Sequence, residues 1–140
     1  MNEKFKVLVN FIKDMSSETP DVQSYLFVKE NISKYHLNIN IASKPLKNKI
    51  IEVSTVLKFE DKNLSEKRSN FEIVYISIIK IDESVKDKKE LEKIVLCDLQ
   101  NKIYPKIEKI FLNLLDLSGF PGVKIEKKID FNKLYNERVN

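Results

Sequence analysis

Leu117-Ser118-Gly119-Phe120-Pro121-Gly122-Val123 holds both glycines of the chain and divides its C-terminal half. In front of it, apolar residues recur at threes and fours: Leu91, Val95, Leu99, Ile103, Ile107, Ile110, Leu114 and Leu117. That spacing predicts a long amphipathic helix. Gly just past the last periodic residue, with Pro two further on, is a helix stop, because Gly adopts the left-handed cap and Pro cannot continue the ladder. Behind the break, Phe131, Leu134 and Tyr135 follow Asp130 at helical spacing and predict a short terminal helix with Asp130 as its cap. Ser84 and Asp87 each precede an acid by three residues, a capping-box spacing that starts the long helix. Pro105 lies inside the pattern and predicts a kink or break just before it, since it removes the hydrogen bond to the Asn101 carbonyl.

The N-terminal half alternates instead. Val7, Val9 and Phe11 interleave with Leu8 and Ile12, so a strand over residues 6–15 is apolar on both faces. Pro20 interrupts, and the patch Tyr25-Leu26-Phe27-Val28 packs back on the body in a form the pattern leaves open. A half-buried strand over 36–42 sets Leu37, Ile39 and Ile41 against His36, Asn38 and Asn40. Residues 43–49, with Pro45 and Leu46 among lysines, read as a connection. Ile51, Val53, Thr55, Leu57 and Phe59 share a face of a third strand, and residues 60–70 join it to a fourth. That fourth strand carries Phe71, Ile73, Tyr75, Ile79 and Ile81 on one face and Val74, Ile76 and Ile78 on the other. Helices cover only one face of so small a sheet, so its other face needs a second copy of the chain, unless the strand is buried on both sides within one protomer. The surplus width of the long helix asks for a partner too.

The expectation is an α+β fold: a four-stranded antiparallel sheet, a long Pro-kinked helix and a shorter C-terminal helix. A chain of 140 residues makes one domain, residues 1–140, with a core that needs no staples. Its single cysteine, Cys97, cannot build a disulfide framework, and no apolar run has the length of a signal or membrane segment. A cytoplasmic protein without membrane insertion is therefore expected. The 25 basic and 21 acidic side chains are interspersed, and the basic stretches 44–49 and 124–128 accompany no nucleic-acid reading motif. Catalysis lacks its parts. His36, the only histidine, sits on the polar side of a strand; one Cys and one His form no metal set; the two glycines build no phosphate loop. No enzyme activity and no cofactor are expected, and binding remains.

Four motifs in order carry a resemblance. Phe11 to Pro20 (FIKDMSSETP), Ile103-Tyr104-Pro105, Gly119-Phe120-Pro121 and Ile129 to Tyr135 (IDFNKLY) resemble the SecB family of protein-export chaperones, across residues 11 to 135. The resemblance implies a SecB-like fold assembling as a homotetramer, a dimer of dimers, that binds unfolded preproteins in apolar grooves and delivers them to the SecA translocation ATPase. It places the motor contact at Asp14 and Glu18, and the oligomer interface at Phe71, Ile73, Tyr75 and Ser77. Pro45 and Leu46 would belong to a crossover loop bordering the groove, with Phe120, Phe131, Leu134 and Tyr135. The chain departs from the family in being basic, in carrying Glu72 and Val74 where an apolar residue and an acid are expected, and in Ser17 where a Phe is usual. Two alternatives follow: a SecB-like chaperone serving another client such as an antitoxin, or a small basic module bound to nucleic acid or ribosomes.

Overall fold

The computed structural model describes residues 4–61, 69–125 and 129–139. Four antiparallel strands make one sheet in the order β1-β4-β3-β2, with β1 Phe5–Glu18, β2 His36–Pro45, β3 Ile50–Glu60 and β4 Asn70–Ile81. Helices α1 (Val22–Asn31), α2 (Lys88–Lys93), α3 (Leu99–Leu117) and α4 (Phe131–Val139) complete the fold. Ser84 caps nothing and instead bonds back to Asp82, while Asp87 caps α2 by accepting the Lys89 N–H at 3.1 Å. The expected connection over 60–70 falls largely on residues 62–68, outside the described residues.

Register explains why the sheet has two unlike faces. Phe71, Ile73, Tyr75, Ser77, Ile79 and Ile81 stand beside Ile51, Val53, Thr55, Leu57 and Phe59, and all eleven are buried under the helices. Side chains alternate across a strand, so Val74, Ile76 and Ile78 point the other way. They meet Phe11, Val9 and Val56 on a face that carries no helix. The stripe foreseen on the long helix is spent within the protomer: Leu99, Ile103, Ile107, Phe111, Leu114 and Leu115 are buried, and Leu117, 77% exposed, is the outlier. Surplus apolar surface lies on β1 instead, where Leu8, Val9, Phe11, Ile12 and Met15 are exposed along a sheet edge.

Two expectations about the helices change. Helix α1 occupies the stretch whose form the pattern left open; Asp21 caps it by accepting the Ser24 N–H at 2.7 Å. Its apolar residues point both inward (Tyr25, Val28) and outward (Val22, Leu26, Phe27), so no one-sided stripe announces it. Pro105 does not break the long helix. Both Pro105 and Asn101 are exposed, so the carbonyl that Pro105 deprives of a donor faces water. The irregularity lies upstream, in a wide π turn over Ile94–Asp98 where the Leu99 N–H reaches back to the Ile94 carbonyl. Next to it, buried Gln100 donates to Thr55 Oγ1 at 3.0 Å and ties the helix to the middle of β3.

The Gly119 stop forms as predicted. Gly119 has φ +94°, its N–H bonds the Asp116 carbonyl at 3.2 Å, and the Phe120 N–H bonds the Leu115 carbonyl at 2.9 Å, a Schellman closure.

Candidate binding groove at the edge of the sheet

β1 ends at one edge of the sheet and β2 begins at the other, so residues 19–35 must cross between them. That crossing carries α1 and a 3-10 turn, Ile32–Lys34, and delivers Tyr35 to the start of β2. The Tyr35 hydroxyl donates to the Ser69 carbonyl at 2.7 Å, and its ring packs on Phe59, centroids 5.2 Å apart. From the other direction, the stop at Gly119 sends residues 120–125 back past the same edge. Phe120 anchors this return between Tyr25 (5.0 Å) and Phe71 (5.6 Å, edge-on), while the Tyr25 hydroxyl donates to the Gly119 carbonyl at 2.6 Å.

Helix α4 closes the site. Asp130 caps it by accepting the Lys133 N–H at 3.1 Å, Phe131 packs edge-on to Tyr104 at 5.3 Å, and the Tyr135 hydroxyl donates to the Lys89 carbonyl at 3.2 Å. Cys97 also touches α4 through Asn132. Burial first, then Asp98, pushes its thiol above the ordinary value.

Between these walls lies a groove of about 1130 Å³. Leu37 and Ile39 of β2 form one side, Phe59 and Tyr35 lie along it, Val123 and Ile125 come from the return segment, and Ile129 and Leu134 from the α4 side. Its charged members are Lys124, Lys133, Asp130 and Glu137, with His36 at the rim. The lining is mixed: nine apolar side chains share it with Ser33, His36, Asn38 and the four charged residues, a combination that suits a ligand with both apolar and polar groups. Among the described residues no three His, Cys, Asp or Glu side chains gather as a metal set, and no helix is long and apolar enough to cross a membrane.

Of the residues expected at a groove, Leu134 lines it, 37% exposed. Phe120 and Phe131 are core residues, each 3% exposed, because their rings are spent in seating the break and α4. Tyr135 is half-buried as a peg for α4. Pro45 and Leu46 lie at the far end of β2, in the tight turn to β3 that Asn48 and Lys49 complete with positive φ; the crossover is residues 19–35 instead. The groove residues that pattern reading passed over are Ile32, Tyr35, Val123, Ile125 and Ile129. Only the alternation Val123, Ile125 just after Gly122 hinted at an extended wall.

Phe71, Ile73, Tyr75 and Ser77, expected at an oligomer interface, are at most 2% exposed within the protomer, facing its own helices. Asp14 and Glu18 are exposed on the helix-free face, where Asp14 pairs with Val74 and Glu18 with Asn70, in line with Glu72. Of the basic stretches, Lys44 pairs in register with Glu52, and 126–128 fall outside the described residues.

A sheet covered by helices on one face, with a groove opening at its edge, is an α+β architecture suited to binding rather than a bare scaffold. A family model, Preprotein translocase subunit SecB, matches residues 1–140. The chain is 61% identical over 140 residues to a SecB-type protein-export protein of Pelagibacter ubique, covering 100% of both. It is 28% identical to the protein-export protein SecB of Bartonella bacilliformis, over 99% of this chain and 86% of that one. The chain belongs to the SecB family of protein-export chaperones, which are not enzymes. Its fold is similar to that of a SecB-like chaperone of Mycobacterium tuberculosis solved in complex with a ChAD peptide from an antitoxin, with a TM-score of 0.59, 11% identity, and coverage of 89% and 91% of the two chains.

Proposed function

We propose that the groove between β2, residues 122–125 and α4 holds apolar segments of unfolded precursor proteins and keeps them competent for export. The observation that carries this is a cleft large enough for several side chains, with nine apolar side chains in its lining. Burying one Leu or Phe contributes about 1.5–3 kcal/mol. Three or four such residues, less the several kcal/mol needed to order an unfolded chain, give about −8 kcal/mol at most, or micromolar affinity. Such a segment is held yet released without nucleotide. Several grooves in one assembly would raise avidity.

Delivery to the SecA motor uses the helix-free face, where Asp14 and Glu18 stand exposed beside Glu72. Assembly as a dimer of dimers uses the exposed apolar edge of β1, whose unpaired backbone and Leu8, Phe11 and Ile12 invite a second copy. Phe71, Ile73, Tyr75 and Ser77 act on assembly only by seating the helices above them. The working place of such a protein is the cytoplasm.

The test is aggregation of a slowly folding precursor without nucleotide. Wild-type protein suppresses it at modest molar excess, and Leu134→Asp loses most of the suppression while keeping its fold, since Leu134 is already partly exposed. Undiminished holding by Leu134→Asp refutes the groove. A pull-down from cytosol separates precursors from an antitoxin as clients.

A further inference from the structure

The basic stretch over residues 44–49 takes no part in the groove and lies at the far end of the sheet, where β2 turns into β3. There the register lines up one residue from each strand. Lys6 of β1 stands opposite Lys80 of β4, Lys80 stands opposite Ile50 of β3, and the Leu46 N–H at the end of β2 bonds the Ile50 carbonyl at 2.7 Å. Lys80 has the parity of Val74, Ile76 and Ile78, so this row belongs to the helix-free face. Like charges directly opposite on neighbouring strands destabilise a sheet, and no acid stands in the row to separate Lys6 from Lys80. Beside it Lys44 stands opposite Glu52, while Lys47 and Lys49 sit in the turn that positive φ at Asn48 and Lys49 closes tightly. All five lysines are exposed, and among the described residues none of them forms a salt bridge. Of the other acids at this end, Asp82 is engaged by the Ser84 N–H at 3.2 Å, and Glu83 offers Lys49 only its carbonyl, at 3.4 Å. Leu46, 43% exposed, stands in the middle of this charge.

We propose that this end of the sheet is a peripheral membrane-contact surface, which rests on a bilayer of anionic phospholipid with Lys6, Lys44, Lys47, Lys49 and Lys80 among the headgroup phosphates and Leu46 at the boundary with the acyl chains. Phosphates between Lys6 and Lys80 would relieve the repulsion that the sheet itself leaves unanswered. A nucleic acid carries the same charge, but surfaces for single strands stack bases on aromatic side chains, and no aromatic residue stands in this row or its turn. An exposed leucine among lysines fits lipid instead, where apolar burial adds to attraction for anionic headgroups. Charge also sets the orientation. Glu72 lies roughly 27 Å down β4 from Lys80, at about 3.4 Å per residue. With Asp14 and Glu18 it makes the opposite end of the same face acidic, and an anionic surface turns that end away. The sheet would stand on its lysine end, its acids and its groove still open to solvent.

Co-sedimentation of the full chain with vesicles tests this. Wild-type protein binds vesicles of phosphatidylglycerol and phosphatidylcholine in equal parts at low salt, leaves phosphatidylcholine alone, and is released as salt rises. Lys6→Gln with Lys80→Gln weakens binding by about tenfold or more, the contribution of two lysines near an anionic surface. The same variant keeps or raises the urea midpoint, because a like-charge pair has gone. Lys106→Gln with Lys109→Gln, exposed on α3 in the other layer, removes as much charge and keeps most of the binding. Leu46→Ser weakens binding severalfold at unchanged charge. Equal losses from the two double variants, or full binding by Leu46→Ser, overturn the proposal, as does a wild-type chain that ignores anionic vesicles at low salt. Single-stranded RNA bound as tightly as the vesicles, with Leu46→Ser indifferent, reassigns the patch to nucleic acid and overturns the lipid reading.

Discussion

Replacing Gly119 by alanine adds one methyl group and is expected to be far costlier than that sounds. Gly119 has φ +94°, where an L side chain is strained by roughly 1–2 kcal/mol. Its Cβ would fall 2.7 Å from Tyr25 Cε1 and 3.2 Å from both Cζ and the hydroxyl oxygen. The ring has to move. It is held by the hydroxyl bond to the Gly119 carbonyl and by packing on Phe120. Losing that bond costs about 1 kcal/mol, and disturbing the aromatic pair costs about 0.5–1.5 kcal/mol. The sum is roughly 2.5–4.5 kcal/mol, a fall in Tm of about 5–15 °C for a chain of this size. Gly122 supplies the control: its φ is +78°, and nothing lies within 4 Å of an added Cβ. Gly122→Ala should cost only the backbone strain of roughly 1–2 kcal/mol. Urea unfolding of both variants decides the matter, together with Tyr25→Ala/Gly119→Ala, in which the clash is gone and the double variant is more stable than the summed single losses predict. If Gly119→Ala is no worse than Gly122→Ala, the close approach of Tyr25 is not what fixes the break. Because the break aims residues 120–125 along the groove, Gly119→Ala should also lose client holding before Gly122→Ala does.

Thr55→Ala leaves the buried Gln100 amide only the Val95 carbonyl, at 3.4 Å, and should cost about 1–3 kcal/mol, whereas Thr55→Val/Gln100→Leu recovers most of it; equal stability of the two in urea contradicts the bond as a tie between helix and sheet. Burial first, and Glu108 next, raise the Tyr104 phenol from 10.0 to about 12. The fold therefore favours the protonated form, and this contribution is present below pH 10 and lost as pH rises toward 12; Tyr104→Phe should flatten the alkaline fall of the unfolding midpoint in that window. Asp130→Ala removes the α4 cap, about 1 kcal/mol, and should accelerate hydrogen exchange in α4 while leaving β3 protected. Asp14→Lys with Glu18→Lys should weaken motor binding in a salt-dependent way without affecting client holding, and loss of holding would tie those acids to the groove. Light scattering should give about 66 kDa, four times 16.4 kDa, and a monomer at micromolar concentration removes the assembly proposal.

Much of the framework was legible because it is local. Alternation marked four strands and their faces, and capping chemistry marked both ends of the long helix. Helix α1 escaped because its apolar residues face two ways, Tyr25 and Val28 toward the body, Val22 and Phe27 toward solvent. The break that Pro105 allowed does not occur, and α3 runs through it without interruption, since a proline on the wet side of a helix frees a carbonyl that water can serve. The site was harder still. An aromatic at helical spacing does not declare whether it will seat a helix or line a cleft, and Phe120, Phe131 and Tyr135 all went to seating.

By itself the sequence determined the four strands, the long and terminal helices, and where the long helix must stop, because those depend on residue type and near spacing. Only the tertiary structure decided that β1 and β2 occupy opposite edges of the sheet. From that one fact come the crossing of residues 19–35, the open apolar edge at β1, and the groove that brings Leu37 and Ile39 against Val123, Ile125 and Leu134. Those residues lie roughly ninety positions apart along the chain, and no local propensity connects them. Their meeting depends on strand order, which brings the start of β2 to the edge that residues 122–125 and α4 approach.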